Sequence, residues 1–313
     1  MIRAAFLVFS IGFTSFGCTR EIGAESLGAI AEDVAPTEPA EDRTGWPERI
    51  VWGFVPYLPE ATLRSEFGRL ARTLGERLDL DFEIVVSSEY EELRRKLALG
   101  EVDFAQLAPA SYVRAKREMP DLTLVATHVS DGSATYQGYF LTVADSPFRR
   151  VEDLRGRRVC WVDPESTSGY LYPRTILRQR GIDPDTFFAS PPVFSGNHTA
   201  AIDALLAGGC DAAAVYSGAL KQAWSRGVPR DALRILFKSE RIPLDAYCLR
   251  PGLPGSLAIA IRRTLLGVST RTGEGRAILG RVTRINGFMI AFDDAYDGVR
   301  RMEASLERAE HPR

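Results

Sequence analysis

The sequence predicts an α/β protein with two similar lobes, each a doubly wound, mostly parallel sheet with flanking helices. Its 313 residues are enough for two ordinary domains. Short apolar runs typical of buried strands alternate with amphipathic helical segments of about 10–15 residues, which is the pattern of parallel sheets. One unit also recurs: a helix, a glycine, two residues, an aspartate and a short apolar strand. It occurs around Gly100 and Asp103 and again around Gly208 and Asp211, which indicates two related halves.

The N-terminus has the pattern of an exported protein. Arg3 precedes an apolar segment, residues 4–13, which is short for a transmembrane helix and typical of a signal-peptide core. Residues 14–18, Thr-Ser-Phe-Gly-Cys, resemble the lipobox of bacterial lipoproteins. We therefore predict that residues 1–18 are a lipoprotein signal peptide and that Cys18 carries the lipid of a membrane-anchored periplasmic protein. A simple cleaved signal peptide is the alternative.

The segment after the signal peptide has the composition of a linker. Residues 19–47 are rich in Ala, Glu, Pro, Thr, Asp and Gly and show little apolar periodicity, so we predict a disordered tether. The whole chain is 45% hydrophobic and 26% charged, which is normal for a soluble globular protein. Its net charge of −2 gives no reason to expect nucleic acid as a partner.

The first lobe opens with alternating strands and helices. In order, these segments cover residues 50–55, 63–78, 82–86, 89–99 and 100–108. Ligands of such sheets bind beyond the carboxyl ends of the strands. Tyr57 follows the first strand and Gln106 lies near the end of the third, so we expect both to face a cleft. Asp103 and Asp211 lie at strand starts, at the opposite edge, and are expected to have structural roles.

Two extended segments are interpreted as crossings between the lobes. Residues 139–143 lead into the second lobe, and residues 233–250 lead back. They predict an outer α/β domain of residues 48–138 plus 240–313 and an inserted α/β domain of residues 139–239, joined by two hinges.

The inserted domain contains a candidate anion site. The buried strand 158–162 is followed, before a helix pattern that begins near Gly169, by Ser166, Thr167 and Ser168. The N–H groups of a first helical turn lack intrahelical partners, and that end of the helix is partly positive. Three hydroxyl groups and a glycine at this place form a small anion cradle. Ordinary N-capping by a single hydroxyl is the alternative.

A second helix start lies further along the same domain. His198 follows Ser195-Gly-Asn at the head of a helix, so its imidazole would stand at another positive helix terminus and donate to an anion. An exposed histidine at a helix start is the alternative. Tyr216 ends the next strand and is expected at the same edge of the sheet as the cradle.

Three cysteines follow Cys18. Cys160, Cys210 and Cys248 all lie in apolar segments without Cys-x-x-Cys spacing, which argues against a zinc site. A Cys160–Cys210 bond could form in an oxidising compartment, but we expect buried free thiols. Neither a metal nor a cofactor is expected.

From Val51 to Leu266 the chain resembles the phosphonate- and phosphite-binding proteins of bacterial ABC importers, a subfamily of the type II periplasmic binding fold. The resemblance rests on the segment Pro-Glu-Ser-Thr-Ser-Gly at residues 164–169 and on Gly-Asn-His at 196–198 followed by Asp211. It implies a two-domain clamp that closes on a tetrahedral oxyanion. In family members the oxyanion is held by the residues that match Ser166, Thr167, Ser168, His198 and Tyr136. Together with strand-end residues, the ligand-binding candidates are Tyr57, Gln106, Tyr136, Ser166, Thr167, Ser168, His198 and Tyr216.

The resemblance also narrows the ligand and the partners. Relatives that bind aminoalkylphosphonates tend to carry an acidic residue near the position of Gly218, so a small ligand such as phosphite, methylphosphonate or phosphate is expected. The implied partner is an ABC permease in the inner membrane, and we expect a monomer. The alternative is a sensor of an oxyanion such as a phosphonate or arsenite that presents its closed form to a membrane histidine kinase. Sensing of arsenite would require a cysteine near the ligand, whereas Cys160 lies within a strand.

An enzyme is not expected. The sequence has no Ser-His-Asp order, no metal-ligand cluster and no Gly-Lys phosphate loop, and its three histidines are dispersed.

Overall fold

The computed structural model describes residues 42–310. The predicted signal peptide, Cys18 and residues 19–41 of the predicted tether lie outside the described residues. Residues 42–47, the last part of that tether, belong to the folded domain. The indole N–H of Trp46 donates to Ser256 Oγ at 2.9 Å, and Arg43 donates to the carbonyl of Leu78 at 2.7 Å. No helix within residues 42–310 combines the length and the apolar content that crossing a bilayer requires.

The described chain alternates strands and helices over most of its length, as the sequence predicts. The strands are β1 (Arg49–Phe54), β2 (Asp81–Val86), β3 (Phe104–Leu107), β4 (Thr123–Ser130), β5 (Thr135–Tyr136), β6 (Gly138–Val143), β7 (Val159–Trp161), β8 (Val193–Phe194), β9 (Ala212–Tyr216), β10 (Leu233–Lys238), β11 (Ile242–Pro243), β12 (Ala246–Leu249) and β13 (Ile285–Met289). The α-helices are α1 (Glu60–Leu78), α2 (Tyr90–Ala98), α3 (Pro109–Glu118), α4 (Tyr172–Gln179), α5 (Pro184–Phe187), α6 (His198–Leu206), α7 (Ser217–Ser225), α8 (Gly255–Leu266), α9 (Gly273–Ile278) and α10 (Asp297–Glu310).

Two sheets form the two lobes of the clamp. The first has the order β13-β4-β12-β3-β1-β2, and the second has the order β10-β6-β9-β7-β8. We call the part built on the first sheet the outer lobe and the part built on the second the inserted lobe. Only β2-β1-β3 and β9-β7-β8 are parallel, so each sheet is mixed rather than mostly parallel. Strands β6 and β12 are the first long strands after the two crossings between the lobes. No helical crossover within their own sheet leads into them, and they pair antiparallel with β9 and β3, respectively.

Each lobe has its own apolar core. In the outer lobe, α1 turns a row of buried side chains, spaced three and four residues apart, toward Trp52 on β1. In the inserted lobe, Phe140, Trp161 and Phe188 pack together across the second sheet. These cores fix the strand ends that carry the polar residues described below.

The two predicted structural aspartates are confirmed at equivalent places in the two lobes. Asp103 accepts a hydrogen bond of 3.0 Å from the N–H of Val51 and pairs with Arg250. Asp211 accepts one of 3.0 Å from the N–H of Arg158. Both carboxylates thus tie the start of one parallel strand to its neighbour, away from the ligand edge.

The chain crosses between the lobes twice, and the two crossing segments lie side by side. The short strands β5 and β11 pair antiparallel, and next to them the N–H of Gly138 donates to Ser239 Oγ at 2.8 Å. The N–H of Ser239 donates back to the carbonyl of Gly138 at 2.9 Å. A Cβ at Gly138 would lie 3.2 Å from Ser168 Cβ, so this glycine lets the crossing run close to the cradle.

The expectation of free thiols was wrong for two of the three cysteines. Cys160 on β7 and Cys210 before β9 form a disulfide with a Cα–Cα distance of 5.8 Å. They meet because β7 and β9 are adjacent parallel strands, a pairing that the local apolar context of each cysteine does not reveal. Cys248 is free and buried, as expected.

Candidate functional site

A cavity of about 50 Å³ lies between the two lobes. The inserted lobe contributes Ser166, Thr167, Ser168, His198 and Tyr216. The outer lobe and the crossing contribute the polar residues Tyr57, Tyr90, His128, Tyr136, Asp245 and Thr283, with Ser130 beside them. A water molecule needs only about 10–15 Å³, so the cavity is large enough to hold a small ligand.

The cradle forms one wall of this cavity. After β7 the chain turns into a π-helical turn, Thr167–Leu171, that continues into α4. Ser166 Oγ accepts a hydrogen bond of 3.1 Å from the N–H of Gly169, so Ser166 is the N-cap. Thr167 and Ser168 are not needed for that role, yet both are buried at the cavity. The cap and the cradle are therefore different hydroxyl groups of one segment, and π-helical turns are frequent at functional sites.

Gly169 is required by the packing of the cradle. A Cβ on this residue would lie 2.6 Å from Val162 Cβ and 2.8 Å from Ser166 Oγ. Any side chain would therefore displace the N-cap. The glycine that the sequence places after the three hydroxyl residues therefore keeps this turn closed.

His198 presents a hydrogen-bond donor to the cavity. Asn197 caps α6 by accepting from the N–H of Ala200 at 2.8 Å, which places His198 at the first helical position. The N–H of Tyr216 donates to His198 Nδ1 at 3.2 Å, so in the neutral ring the proton lies on Nε2. Burial lowers the pKa of His198 to about 3, so the imidazole is neutral at physiological pH.

Tyrosine rings enclose the cavity. The Tyr216 ring stands edge-on to Tyr136, with 6.1 Å between centroids, and to Tyr57, with 6.4 Å. Burial raises the pKa of all three phenols well above the usual range, so they remain protonated. A Cβ at Gly218 would lie 2.3 Å from Tyr216 Cε2. The Tyr216 ring therefore occupies the space that a side chain at residue 218 would need.

Gln106 differs from the other seven candidates because it does not line the cavity. Its Nε2 donates a hydrogen bond of 2.8 Å to Asp245 Oδ2, and Asp245 does line the cavity. Burial raises the pKa of Asp245 to about 7, although the hydrogen bond from Gln106 acts in the opposite direction. Gln106 is thus a positioning residue for a carboxyl group that the sequence analysis missed.

Five polar cavity residues were missed by the sequence analysis: Tyr90, His128, Ser130, Asp245 and Thr283. Tyr90 has the spacing of an apolar helix residue, and His128 lies in a strand that gave no clear pattern. Asp245 is a lone acidic residue just before β12. Asp245 is the only charged residue in the apolar segment 242–247, Ile-Pro-Leu-Asp-Ala-Tyr. This is the one sequence feature that could have identified it.

Polar contacts on both sides of the cavity hold the lobes together. Glu165, next to the cradle, pairs with Arg94 at 2.9 Å and with Arg114 at 3.0 Å, both from the outer lobe. On another side, Lys221 on α7 pairs with Asp131 of the outer lobe at 2.7 Å. The structure therefore has the clamp in a closed arrangement. Among residues 42–310 there is no cluster of three or more His, Cys, Asp or Glu that could hold a metal ion.

Comparisons with known proteins show which family and which relatives this chain resembles. A family model described as "ABC transporter, phosphonate, periplasmic substrate-binding protein" matches residues 52–296. The phosphate-import protein PhnD of Mycolicibacterium smegmatis is 28% identical over 274 residues, which are 82% of this chain and 85% of that protein.

Two solved structures are similar in fold. PhnD1 from Prochlorococcus marinus, in complex with methylphosphonate, has a TM-score of 0.73 at 18% identity and covers 84% of this chain and 99% of its own. A binding-protein component of an ABC phosphonate transporter from Pseudomonas aeruginosa has a TM-score of 0.76 at 18% identity and covers 84% and 87%. Both support the type II periplasmic binding fold expected from the sequence.

Proposed function

The chain belongs to the family of periplasmic substrate-binding proteins of phosphonate ABC transporters, and on that premise we propose that it captures a small phosphorus oxyanion between its lobes. Membership implies a small ligand and a membrane permease as partners. Members of this family act in transport and are not enzymes.

One observation carries the proposal: the cavity has hydrogen-bond donors on one wall and a carboxyl group on the other. The hydroxyls of Thr167 and Ser168 and the Nε2–H of neutral His198 suit ligand oxygens. Asp245 would repel a fully ionised anion unless a proton lies between the two. A phosphorus oxyanion can supply that proton because its second ionisation occurs near neutral pH, at a pKa of about 6 in phosphate monoesters, and inorganic phosphate keeps a further proton above neutral pH.

The size of the cavity supports a ligand with few atoms. A cavity of about 50 Å³ suits a small tetrahedral ion better than a ligand that carries an aminoalkyl chain. The Tyr216 ring over Gly218 also occupies the place of the acidic residue expected in aminoalkylphosphonate-binding relatives. Phosphate, phosphite and methylphosphonate are therefore the proposed ligands.

Import is favoured over sensing. The relative named as a phosphate-import protein aligns with 82% of this chain. The cavity also lacks a cysteine among its described lining residues, which does not suit the arsenite-sensing alternative.

The test is a titration panel of phosphate, phosphite, methylphosphonate, 2-aminoethylphosphonate and sulfate. We expect at least one of the first three to bind with high affinity and to stabilise the fold by about 2.7 kcal/mol at a hundred times its Kd. At about pH 9 sulfate should bind about a hundredfold more weakly than phosphate, because Asp245, with a pKa of about 7, is mostly ionised there and sulfate brings no proton of its own. Sulfate binding as tight as that of the best phosphorus ligand would contradict the proposal.

We further propose that Cys18 is lipidated after removal of residues 1–17 and that the protein acts as a monomer at the membrane. The supporting observation is the lipobox-like segment 14–18. Cell fractionation tests it: the natural protein should sediment with membranes, and Cys18→Ala should be released or left unprocessed. Natural protein found wholly in the soluble periplasmic fraction would contradict the anchor.

A further inference from the structure

His128 is a buried cavity residue whose side chain makes no hydrogen bond with any residue of the described chain 42–310. It lies on β4, is 6% exposed and lines the cavity. Its Nδ1 is buried and has no partner. Leaving a buried polar atom unpaired costs about 1–3 kcal/mol, so this cavity-lining residue has a hydrogen-bonding capacity that no protein group uses.

The surroundings of His128 restrict what that role can be. Its ring stands edge-on to Tyr247, with 5.8 Å between centroids, and on the sheet it is opposite Phe288. Asp245 lines the same cavity but is held by Gln106. Burial lowers the pKa of His128 to about 3, so the ring is a neutral group that can accept or donate one hydrogen bond.

The two walls of the cavity divide the oxygens of a tetrahedral ligand. Apart from the N-cap Ser166, the inserted lobe offers three side-chain donors, the hydroxyls of Thr167 and Ser168 and the Nε2–H of His198, which suit about two ligand oxygens. The remaining two positions of the tetrahedron then point to the outer-lobe wall. That wall carries Asp245 and His128 together with the phenols of Tyr57, Tyr90 and Tyr136, and of these groups only the His128 ring has a buried polar atom without a partner.

We propose that His128 is a specificity-determining residue that hydrogen-bonds the fourth oxygen of the ligand, so that the cavity selects phosphate over phosphite and methylphosphonate. The inference rests on the proposed function, because it concerns the same ligand class. Phosphite has a hydrogen at the fourth position and methylphosphonate has a methyl group. Either substituent leaves the imidazole unpaired, and sites built to bond a ligand hydroxyl discriminate strongly against an analogue that lacks it.

The test measures the dissociation constants of all three ligands for the natural protein, His128→Phe and Ser130→Ala. The natural protein should prefer phosphate by at least about tenfold. His128→Phe keeps a flat ring but cannot form hydrogen bonds, so phosphate affinity should fall about tenfold or more while the affinities for phosphite and methylphosphonate stay within about threefold. Ser130→Ala is the matched control: it changes a cavity residue on the same strand whose hydroxyl already bonds the carbonyls of Thr283 and Arg284. It should leave the phosphate-to-phosphite ratio unchanged.

The outcomes separate this inference from the proposed function. Failure of the natural protein to bind any of the three ligands would overturn both. Tight binding without a preference for phosphate, or an equal loss for all three ligands in His128→Phe, would overturn only the role of His128. If His128→Phe does not fold, a crystal structure of the natural protein with phosphate decides. A ring nitrogen of His128 within 3.2 Å of a ligand oxygen, a normal hydrogen-bond distance of roughly 2.7–3.2 Å, would support the role, and a longer separation would overturn it.

Discussion

The backbone N–H of Ala110, in the outer lobe, donates a hydrogen bond of 2.9 Å to the hydroxyl of Thr167, in the inserted lobe. Ala110 lies in the first turn of α3, where N–H groups have no intrahelical partner. Because the Thr167 oxygen accepts this bond, its own O–H remains available to donate to a ligand. One hydroxyl thus joins the lobes and takes part in the cradle.

Thr167→Val tests this double role, because valine keeps the shape of threonine and removes the hydroxyl. We expect ligand affinity to fall by about 1.5–3 kcal/mol, the range for a hydrogen bond to a charged partner. Thr167→Ser is the control and should bind within a few-fold of the natural protein. Titration calorimetry measures both, and natural affinity in the valine variant would show that the hydroxyl does not contact the ligand.

Glu165 should couple the cradle to closure of the clamp. It is 6% exposed and forms ion pairs with Arg94 and Arg114 of the outer lobe. Both arginines lose this negatively charged partner in Glu165→Gln. Since those arginines are partly exposed, we expect a loss of about 1–2 kcal/mol, or roughly tenfold in affinity. Small-angle scattering should also show less compaction with ligand. Glu83→Gln, which breaks an exposed ion pair with Arg49 inside the outer lobe, is the control and should change neither quantity.

Asp245 should make ligand binding depend on pH. Its pKa of about 7 means that the free carboxyl loses its proton around neutral pH. Above about pH 8 both the free carboxyl and a phosphite or methylphosphonate ligand are ionised, so binding of either ligand must take up one proton and its affinity should fall up to about tenfold per pH unit. Phosphate keeps one proton of its own above about pH 8 and should show little of this slope. Asp245→Asn carries no ionisable group and should lose most of this slope. An equal slope in the two proteins would exclude Asp245 as the group that holds the shared proton.

The same carboxyl should affect the stability of the ligand-free protein. Because burial raises the folded-state pKa above the unfolded value of 3.8, ionisation of Asp245 opposes folding. Its destabilising effect is absent at low pH and grows between the unfolded and the folded pKa, up to about pH 7. Asp245→Asn should therefore gain stability relative to the natural protein between pH 4 and pH 8, as measured by denaturant unfolding. No change in the difference between the two proteins over this range would contradict the raised pKa.

The ion pair between Lys221 and Asp131 should slow ligand release. It joins the lobes at 2.7 Å and is partly exposed, so its contribution is about 0–1 kcal/mol and depends on salt. In Lys221→Met we expect release up to about fivefold faster at low salt, with the difference lost at 1 M salt. Lys96→Met removes a pair with Glu92 inside one lobe and is the control. Stopped-flow displacement measures the rates, and equal rates at low salt would contradict a role in closure.

The Cys160–Cys210 disulfide should stabilise the inserted lobe. It closes a loop with a sequence separation of 50, for which the chain-entropy estimate is about 4 kcal/mol. The double variant Cys160→Ser/Cys210→Ser should therefore unfold at lower denaturant concentration than the oxidised natural protein. Reductant should lower the stability of the natural protein and leave that of the double variant unchanged. A natural protein that is equally stable with and without reductant would contradict this prediction.

Features that depend only on residues close together in the sequence, such as helices, strands and helix caps, could be predicted from the sequence. Alternating apolar runs predicted the two α/β lobes, because burial of one face sets the period of a helix or a strand. The cradle was predictable for the same reason: its hydroxyls, its glycine and the helix start that gives them a chemical role are contiguous in the chain. His198 likewise follows its capping residue Asn197 directly.

What only the tertiary structure decided is the outer-lobe wall of the cavity. This wall contains His128, Asp245 and Tyr90, which come from three separate segments. Their local sequence predicts only a strand residue, a loop residue and a core residue of a helix. They meet because the return crossing places β12 between β3 and β4 in the outer sheet. The Cys160–Cys210 pairing has the same origin, since it depends on β7 and β9 becoming neighbours. Strand order is set by long-range packing rather than by any local pattern. The sequence by itself therefore determined the wall that carries the contiguous hydroxyl groups, while the fold determined the wall that faces it.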